Sequence, residues 1–171
     1  KNILEIGGHC GSSSIILSTF LENDNKVYVY EPQKNLYNLL VKNIEQNKLH
    51  NKIIPHNLGI FCYDGIGVMN NIDLDGGGGI ISKRYNEEIN LLCNFGGAVL
   101  GKDGEEVKLT TINSIDNIYN NIGFIYCSAQ GSESFIFSSA LNLINKYRPV
   151  IFFINNKTYH SYQFDNIIKN Y

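Results

Sequence analysis

A chain of 171 residues, 43% of them hydrophobic, is long and apolar enough to bury one core, which excludes a disordered chain. Its formal net charge of −2 excludes the polycationic surface that binding to nucleic-acid backbones requires. No apolar run approaches the ~18 residues of a membrane span, and Lys1 and Asn2 lead straight into a short strand-like run, so neither a membrane partner nor a signal peptide is expected.

Short apolar runs alternate with helical patterns, the sequence signature of a parallel sheet covered by helices. Ile3 to Ile6 reads as the first strand, followed by a glycine turn and a helix from about Ser12 to Leu21, with the serines as N-cap candidates. Lys26 to Tyr30 reads as the second strand. Pro32 suits the first turn of the next helix, on which Leu36, Leu39, Leu40 and Ile44 repeat on one face. A third strand at about Lys52 to His56 continues into a segment in which Asp64-Gly65, between apolar runs, suggests a hairpin. Residues 73–106 are rich in glycine and read as loops and short strands, with Glu106 to Ile112 as an extended return segment. A strand at Gly123 to Ser128, a helix from about Ser132 to Tyr147 and a buried strand at Ile151 to Ile154 follow. The tail from His160 to Tyr171 has a helical pattern. No linker divides the chain, so residues 1–171 are expected to form a single domain, part of a longer polypeptide.

A parallel sheet of this kind places ligands beyond the carboxyl ends of its strands, and the first such end is the turn Glu5-x-Gly7-x-x-x-Gly11. Glycines there let the backbone turn sharply and approach a ligand, while the following helix offers free N–H groups to a negative group. A dinucleotide fingerprint would need glycine at position 6, where Ile6 stands, which argues against a nicotinamide enzyme. Glu31 ends the second strand about 20 residues after the turn, where an acid accepts both hydrogen bonds of a ribose diol. The alternative for Glu31 is a solvated acid at a helix N-terminus, and glycine turns also occur in α/β proteins that bind no nucleotide.

The segments LEIGGHCGSSS, VYVYEPQKNLYNLLVKNIEQN, VKLTTINSI and IYCSAQGSESFIFSSALNLINKYRPVIFF resemble, in order and spacing over nearly the whole chain, the FkbM-like family of S-adenosylmethionine-dependent methyltransferases. The resemblance implies an α/β, Rossmann-like class I methyltransferase fold with strand order 3-2-1-4-5 and helices on both faces, and O-methylation of a sugar or other small hydroxylated acceptor. By the same resemblance Glu5, Gly7, Gly8, His9, Cys10 and Gly11 would frame the methionine part of S-adenosylmethionine, Glu31 would hold its ribose, and His56, Asn57 and Leu58 would lie near the adenine.

Three acids of the family pattern are replaced, by Ser128, Asn113 and Ile154, while Glu133 remains. Loss of several acids also fits a catalytically degenerate module with a binding or structural role. For methyl transfer to a hydroxyl, a base must take the acceptor's proton, and the candidates are His160, in the loop after the last strand, and Glu133. Their bland readings are an exposed loop histidine and a favourable charge in a first helical turn. Asp75 to Ile80 reads either as a loop closing over substrate or as a plain surface loop, and Tyr159 and Tyr162 either as residues that stack on a sugar or as ordinary core or surface residues among the 11 tyrosines of the chain. Cys10, Cys62, Cys93 and Cys127 lack metal-ligand spacing and read as thiols of a reducing, cytoplasmic compartment, with no metal.

Overall fold

The structure is a computed structural model that describes residues 1–70, 104–115, 120–129 and 132–154. The expectations for Asp75 to Ile80, Tyr159, His160, Tyr162 and the tail to Tyr171 lie outside the described residues.

Among these residues, eight strands and five helices follow one another as β1 (Asn2–Ile6), α1 (Ser12–Ser18), β2 (Val27–Tyr30), α2 (Lys34–Gln46), β3 (Ile53–His56), β4 (Gly59–Ile60), β5 (Gly65–Asn70), β6 (Gly104–Thr110), α3 (Ile112–Ile115), β7 (Ile122–Cys127), α4 (Glu133–Ser138), α5 (Leu141–Tyr147) and β8 (Val150–Phe153). The main sheet has the order β3-β2-β1-β7-β8, with every pairing parallel. It is the expected 3-2-1-4-5 order, with β7 and β8 as the fourth and fifth strands. The α/β, Rossmann-like expectation therefore holds.

The period-two alternation of strand side chains divides the core between the two faces of this sheet. Leu4, Ile6, Ile125 and Cys127 face one way and pack with Ile112, Ile136, Phe137, Leu143 and Ile144 from α3, α4 and α5. Ile3, Val27, Val29 and Ile53 face the other way and pack under Leu40 and Ile44 of α2. Glu5 falls two residues after Ile3, so the alternation sends a carboxyl into the second, apolar face. The buried stripe of α2 is narrower than its sequence suggests: Leu36, Leu40 and Ile44 are buried, whereas Leu39 is 48% exposed.

Several local readings are corrected. β8, read as a buried strand, leaves Phe152 51% and the following Ile154 37% exposed. Gly11, not a serine, is the N-cap of α1, and Pro32 precedes Gln33, the N-cap of α2. Asp64-Gly65 does not close a hairpin between its flanking runs. β4 pairs in parallel and β5 antiparallel with β6, which lies between them in a second, three-stranded sheet. Asp64 instead accepts hydrogen bonds from Thr110 Oγ1, the Thr111 N–H and Ser114 Oγ at 2.9, 2.9 and 2.7 Å, bracing the junction of β6 and α3 and holding its own carboxyl below the usual range. The expected helix over Ser132 to Tyr147 is two helices. At the break, the Ser139 carbonyl accepts the Asn113 N–H at 3.2 Å, and its hydroxyl lies 2.8 Å from the Ile136 carbonyl and 3.1 Å from that of Phe61. Finally, α1 ends at Ser18 because the Ser18 and Thr19 hydroxyls bond back to the carbonyls of Ile15 and Ile16, both at 2.7 Å, which competes with helix continuation.

Phe137 and Phe152 test this division of the core. Phe137 is fully buried, and Phe137→Ala should lower unfolding free energy by about 3–5 kcal/mol. Phe152, 51% exposed and stacked on Tyr126 at 5.3 Å, should lose no more than about 1 kcal/mol on the same change. Urea unfolding of the two variants is the check, and equal losses would contradict the packing described.

Candidate functional site

The carboxyl ends of β1, β2, β3 and β7 are joined by backbone hydrogen bonds that continue the sheet past its last paired residues. The Tyr30 carbonyl accepts the N–H groups of both Gly7 and Gly8, at 2.9 and 3.0 Å. The Ser128 N–H donates to the Ile6 carbonyl at 2.9 Å, and the Glu31 N–H to the His56 carbonyl at 3.0 Å. The turn after β1 is thus fixed to its neighbours on both sides.

Packing within the chain explains the turn's glycines. Gly7 has φ 87°, and a Cβ there would lie 2.3 Å from the Ser128 carbonyl oxygen. Gly11 has φ 89°, and its Cβ would lie 2.6 Å from Leu40 Cδ1. At Gly8 an added Cβ would meet Val29 Cγ2 at 2.3 Å. Between them the exposed His9 adopts φ 50°, a conformation unusual for a side-chain-bearing residue. Cys10 is partly exposed with a free thiol, and its carbonyl accepts Asn43 Nδ2 from α2 at 2.7 Å.

Two buried carboxyls lie at this turn. Glu31 is 4% exposed, which rules out the solvated-acid reading. Its Oε2 accepts the His9 N–H at 2.8 Å and its Oε1 the Gln33 N–H at 2.9 Å, so one side chain ties the turn to the start of α2. Burial raises its pKa against the lowering effect of those two bonds. Glu5, with no exposed surface, accepts Ser13 Oγ on Oε1 and Ser14 Oγ on Oε2, each at 2.5 Å. Burial pushes its pKa up to about 7, opposed by the serine hydroxyls. With each oxygen bonded to the first turn of α1 and no surface exposed, Glu5 acts on the turn from beneath. Among the described residues neither acid has an ion-pair partner.

The remaining expected residues fall on either side of Glu31. The His56 ring stacks on Tyr30 with centroids 4.7 Å apart and planes 14° apart, and burial holds its pKa below the ordinary histidine value. The exposed Asn57 donates its side-chain amide to the carbonyls of Glu31 and Pro32, both at 2.9 Å, and Leu58 packs against the core. Glu133, in the first turn of α4, is buried and accepts the Ala129 N–H at 3.1 Å beyond β7. Sequence reasoning missed Ser13, Ser14 and Gln33 as partners of the two acids. Their signal was available in part, since a glutamate on the buried face of a strand must find donors, and three serines open the next helix.

Two predictions follow from the turn. An acid whose folded pKa exceeds its unfolded value of 4.5 retains its proton in the fold while the unfolded chain has released it, so Glu5 lowers stability as pH rises from about 4.5 to about 7. The loss is on the order of 3 kcal/mol and levels off above the folded value. Glu5→Gln should therefore flatten the decline of melting temperature across that window, and a slope unchanged from wild type would contradict it. At Gly11, an added methyl meets both left-handed strain and Leu40. Gly11→Ala should destabilise the wild type by more than about 2 kcal/mol but a Leu40→Ala background by only the backbone part, about 1–2 kcal/mol. Chemical unfolding of the four proteins of this cycle measures the difference, and additivity would refute the contact.

No protein-family profile and no curated protein matches the sequence. Among solved structures, the crystal structure of the methyltransferase FkbM from Methylobacillus flagellatus KT aligns with a TM-score of 0.60 at 16% identity, over 100% of this chain and 36% of that one. This chain therefore spans little more than a third of that protein's length. With its parallel β3-β2-β1-β7-β8 sheet and flanking helices, the chain has the α/β, Rossmann-like fold of an FkbM-like methyltransferase.

Proposed function

We propose that this chain binds S-adenosylmethionine and transfers its methyl group to a hydroxyl of a sugar or other small acceptor. The observation that carries the reading is Glu31, a largely buried carboxylate at the end of β2 whose oxygens each accept one backbone N–H among the described residues. An ionised carboxylate has about four acceptor positions, so each oxygen retains capacity for a hydroxyl, and a vicinal ribose diol is the ligand group that matches two adjacent acceptors. The residues present fit a nucleoside.

S-adenosylmethionine supplies, when bound, a methyl group activated by a sulfonium. Glu31 would hold the ribose, with the turn from Gly7 to Gly11 alongside and His56 to Leu58 on the other side of the acid. In-line transfer depends mainly on positioning, and a base assists by taking the acceptor's proton. Glu133 and His160 are the candidates for that base. Glu133 is buried in the first turn of α4 with one oxygen on the Ala129 N–H just beyond β7, which suits a group that orients that loop as well as one that accepts a proton.

A second reading has its own observation. The ends of β7 and β8 carry Ser128 and Ile154, the latter aliphatic and 37% exposed, and Asn113 uses its backbone N–H on Ser139. None of the three side chains can ionise near neutral pH. This favours a module that binds cofactor without turning it over.

Calorimetric titration with S-adenosylhomocysteine tests the cofactor assignment, and Glu31→Gln should weaken binding by about 1.5–3 kcal/mol. Equal affinity in wild type and variant would overturn it. Transfer of labelled methyl from S-adenosylmethionine to a panel of sugars and small alcohols separates the enzyme from the binding module. Product identifies the enzyme, while tight binding without product identifies the module.

A further inference from the structure

We infer that Asn57 is a positioning residue for the ribose, its side-chain amide holding the exit of β2 so that the Glu31 carboxylate is presented to the diol. The inference rests on the cofactor reading above and adds to it a residue that acts through another.

The pairing of β2 with β3 ends at Tyr30 opposite His56. The Glu31 N–H makes one bond more, to the His56 carbonyl at 3.0 Å. The N–H groups of Val27 and Glu31 face β3, so the next residue, Pro32, has the parity that faces β1 and adds no main-chain N–H bond to β3. The side chain of Asn57 extends the connection where the backbone fails to. Its single Nδ2 donates to two consecutive carbonyls, those of Glu31 and Pro32, both at 2.9 Å. Glu31 is therefore gripped at its N–H by His56 and at its carbonyl by Asn57, two adjacent residues of the β3 exit. The chain then runs on to β4, where a Cβ added to Gly59 would lie 3.3 Å from Pro32 Cβ, so the segment after Asn57 also packs on the Pro32 ring.

This grip governs where the carboxylate can point. The Glu31 side chain leaves a main chain fixed on both sides, reaches the His9 N–H with one oxygen and the Gln33 N–H with the other, and has little rotational freedom left. Releasing the carbonyls of Glu31 and Pro32 would let the β2 exit shift against the turn after β1, and a shift of under an ångström is enough to spoil a two-hydroxyl match. An asparagine amide used in this way has both its N–H donors engaged by main-chain carbonyls, so its effect on a nucleoside passes through the ribose acceptor and not through an amide donor to the base.

The test compares S-adenosylhomocysteine with its 2′-deoxy analogue by calorimetric titration of the whole chain. Wild type should prefer the ribose form by about tenfold or more, as a hydrogen bond to a charged group implies. Asn57→Ala, and the near-isosteric Asn57→Asp that cannot donate, should each reduce that preference to about threefold or less. A residue that only stabilises the fold, or that touches the base directly, would lower both affinities by the same factor and leave the preference intact, and that result overturns the inference. If wild type binds neither ligand, the cofactor reading falls and takes the inference with it. If wild type binds and discriminates while both variants discriminate equally well, the inference falls alone.

Discussion

The carboxylate of Glu31 joins the two halves of the sheet's carboxyl edge. Its two oxygens receive N–H groups from His9, in the turn after β1, and from Gln33, at the start of α2. Removing either acceptor leaves a peptide N–H near the sheet edge with no replacement of equal strength, since a charge-assisted bond is roughly twice as strong as a neutral one. The burial that raises the pKa of this acid also keeps it from being a mere surface charge. Its position is determined by the parallel pairing of β1 with β2, which brings Ile6 opposite Tyr30 and so puts the turn and the acid side by side.

Beneath the same turn, Glu5 does a different job with the same chemical group. Strand alternation directs it into the layer between the sheet and the α1–α2 pair, and the Ser13 and Ser14 hydroxyls each donate to one of its oxygens. One acid, with no exposed surface, thus anchors α1 from below while the other, 4% exposed, ties the turn to the start of α2. The glycines between them are accounted for by contacts within the chain, with Ser128, Val29 and Leu40, so they testify to close packing of the turn, and the proposal of a nucleoside rests on Glu31.

Much of the main sheet was legible because its strands are short, mostly apolar runs, such as Ile3 to Ile6, interrupted by Glu5 alone, and the strand ending at Tyr30. The rest depended on partners distant in sequence. Asp64-Gly65 has the local chemistry of a hairpin, yet β6, which begins 39 residues after Gly65, inserts between the two flanking strands and takes both pairings. The break at Ser139 leaves no mark in helical periodicity, since it exists to give the Ser139 carbonyl to Asn113 and its hydroxyl to Phe61. At the site, the spacing of the glycine turn and Glu31 was enough to put the acid beside the turn. Which backbone N–H groups it would hold was not, and neither was the role of Asn57, because both depend on the register of strands that the sequence does not state.

A crystal structure of the chain with S-adenosylhomocysteine would measure the central claim directly. It should place both ribose hydroxyls within ~2.5–3.0 Å of the Glu31 carboxylate while that carboxylate still accepts the His9 and Gln33 N–H groups. A nucleoside seated elsewhere, or a Glu31 side chain that abandons His9 to receive the ligand, would contradict it.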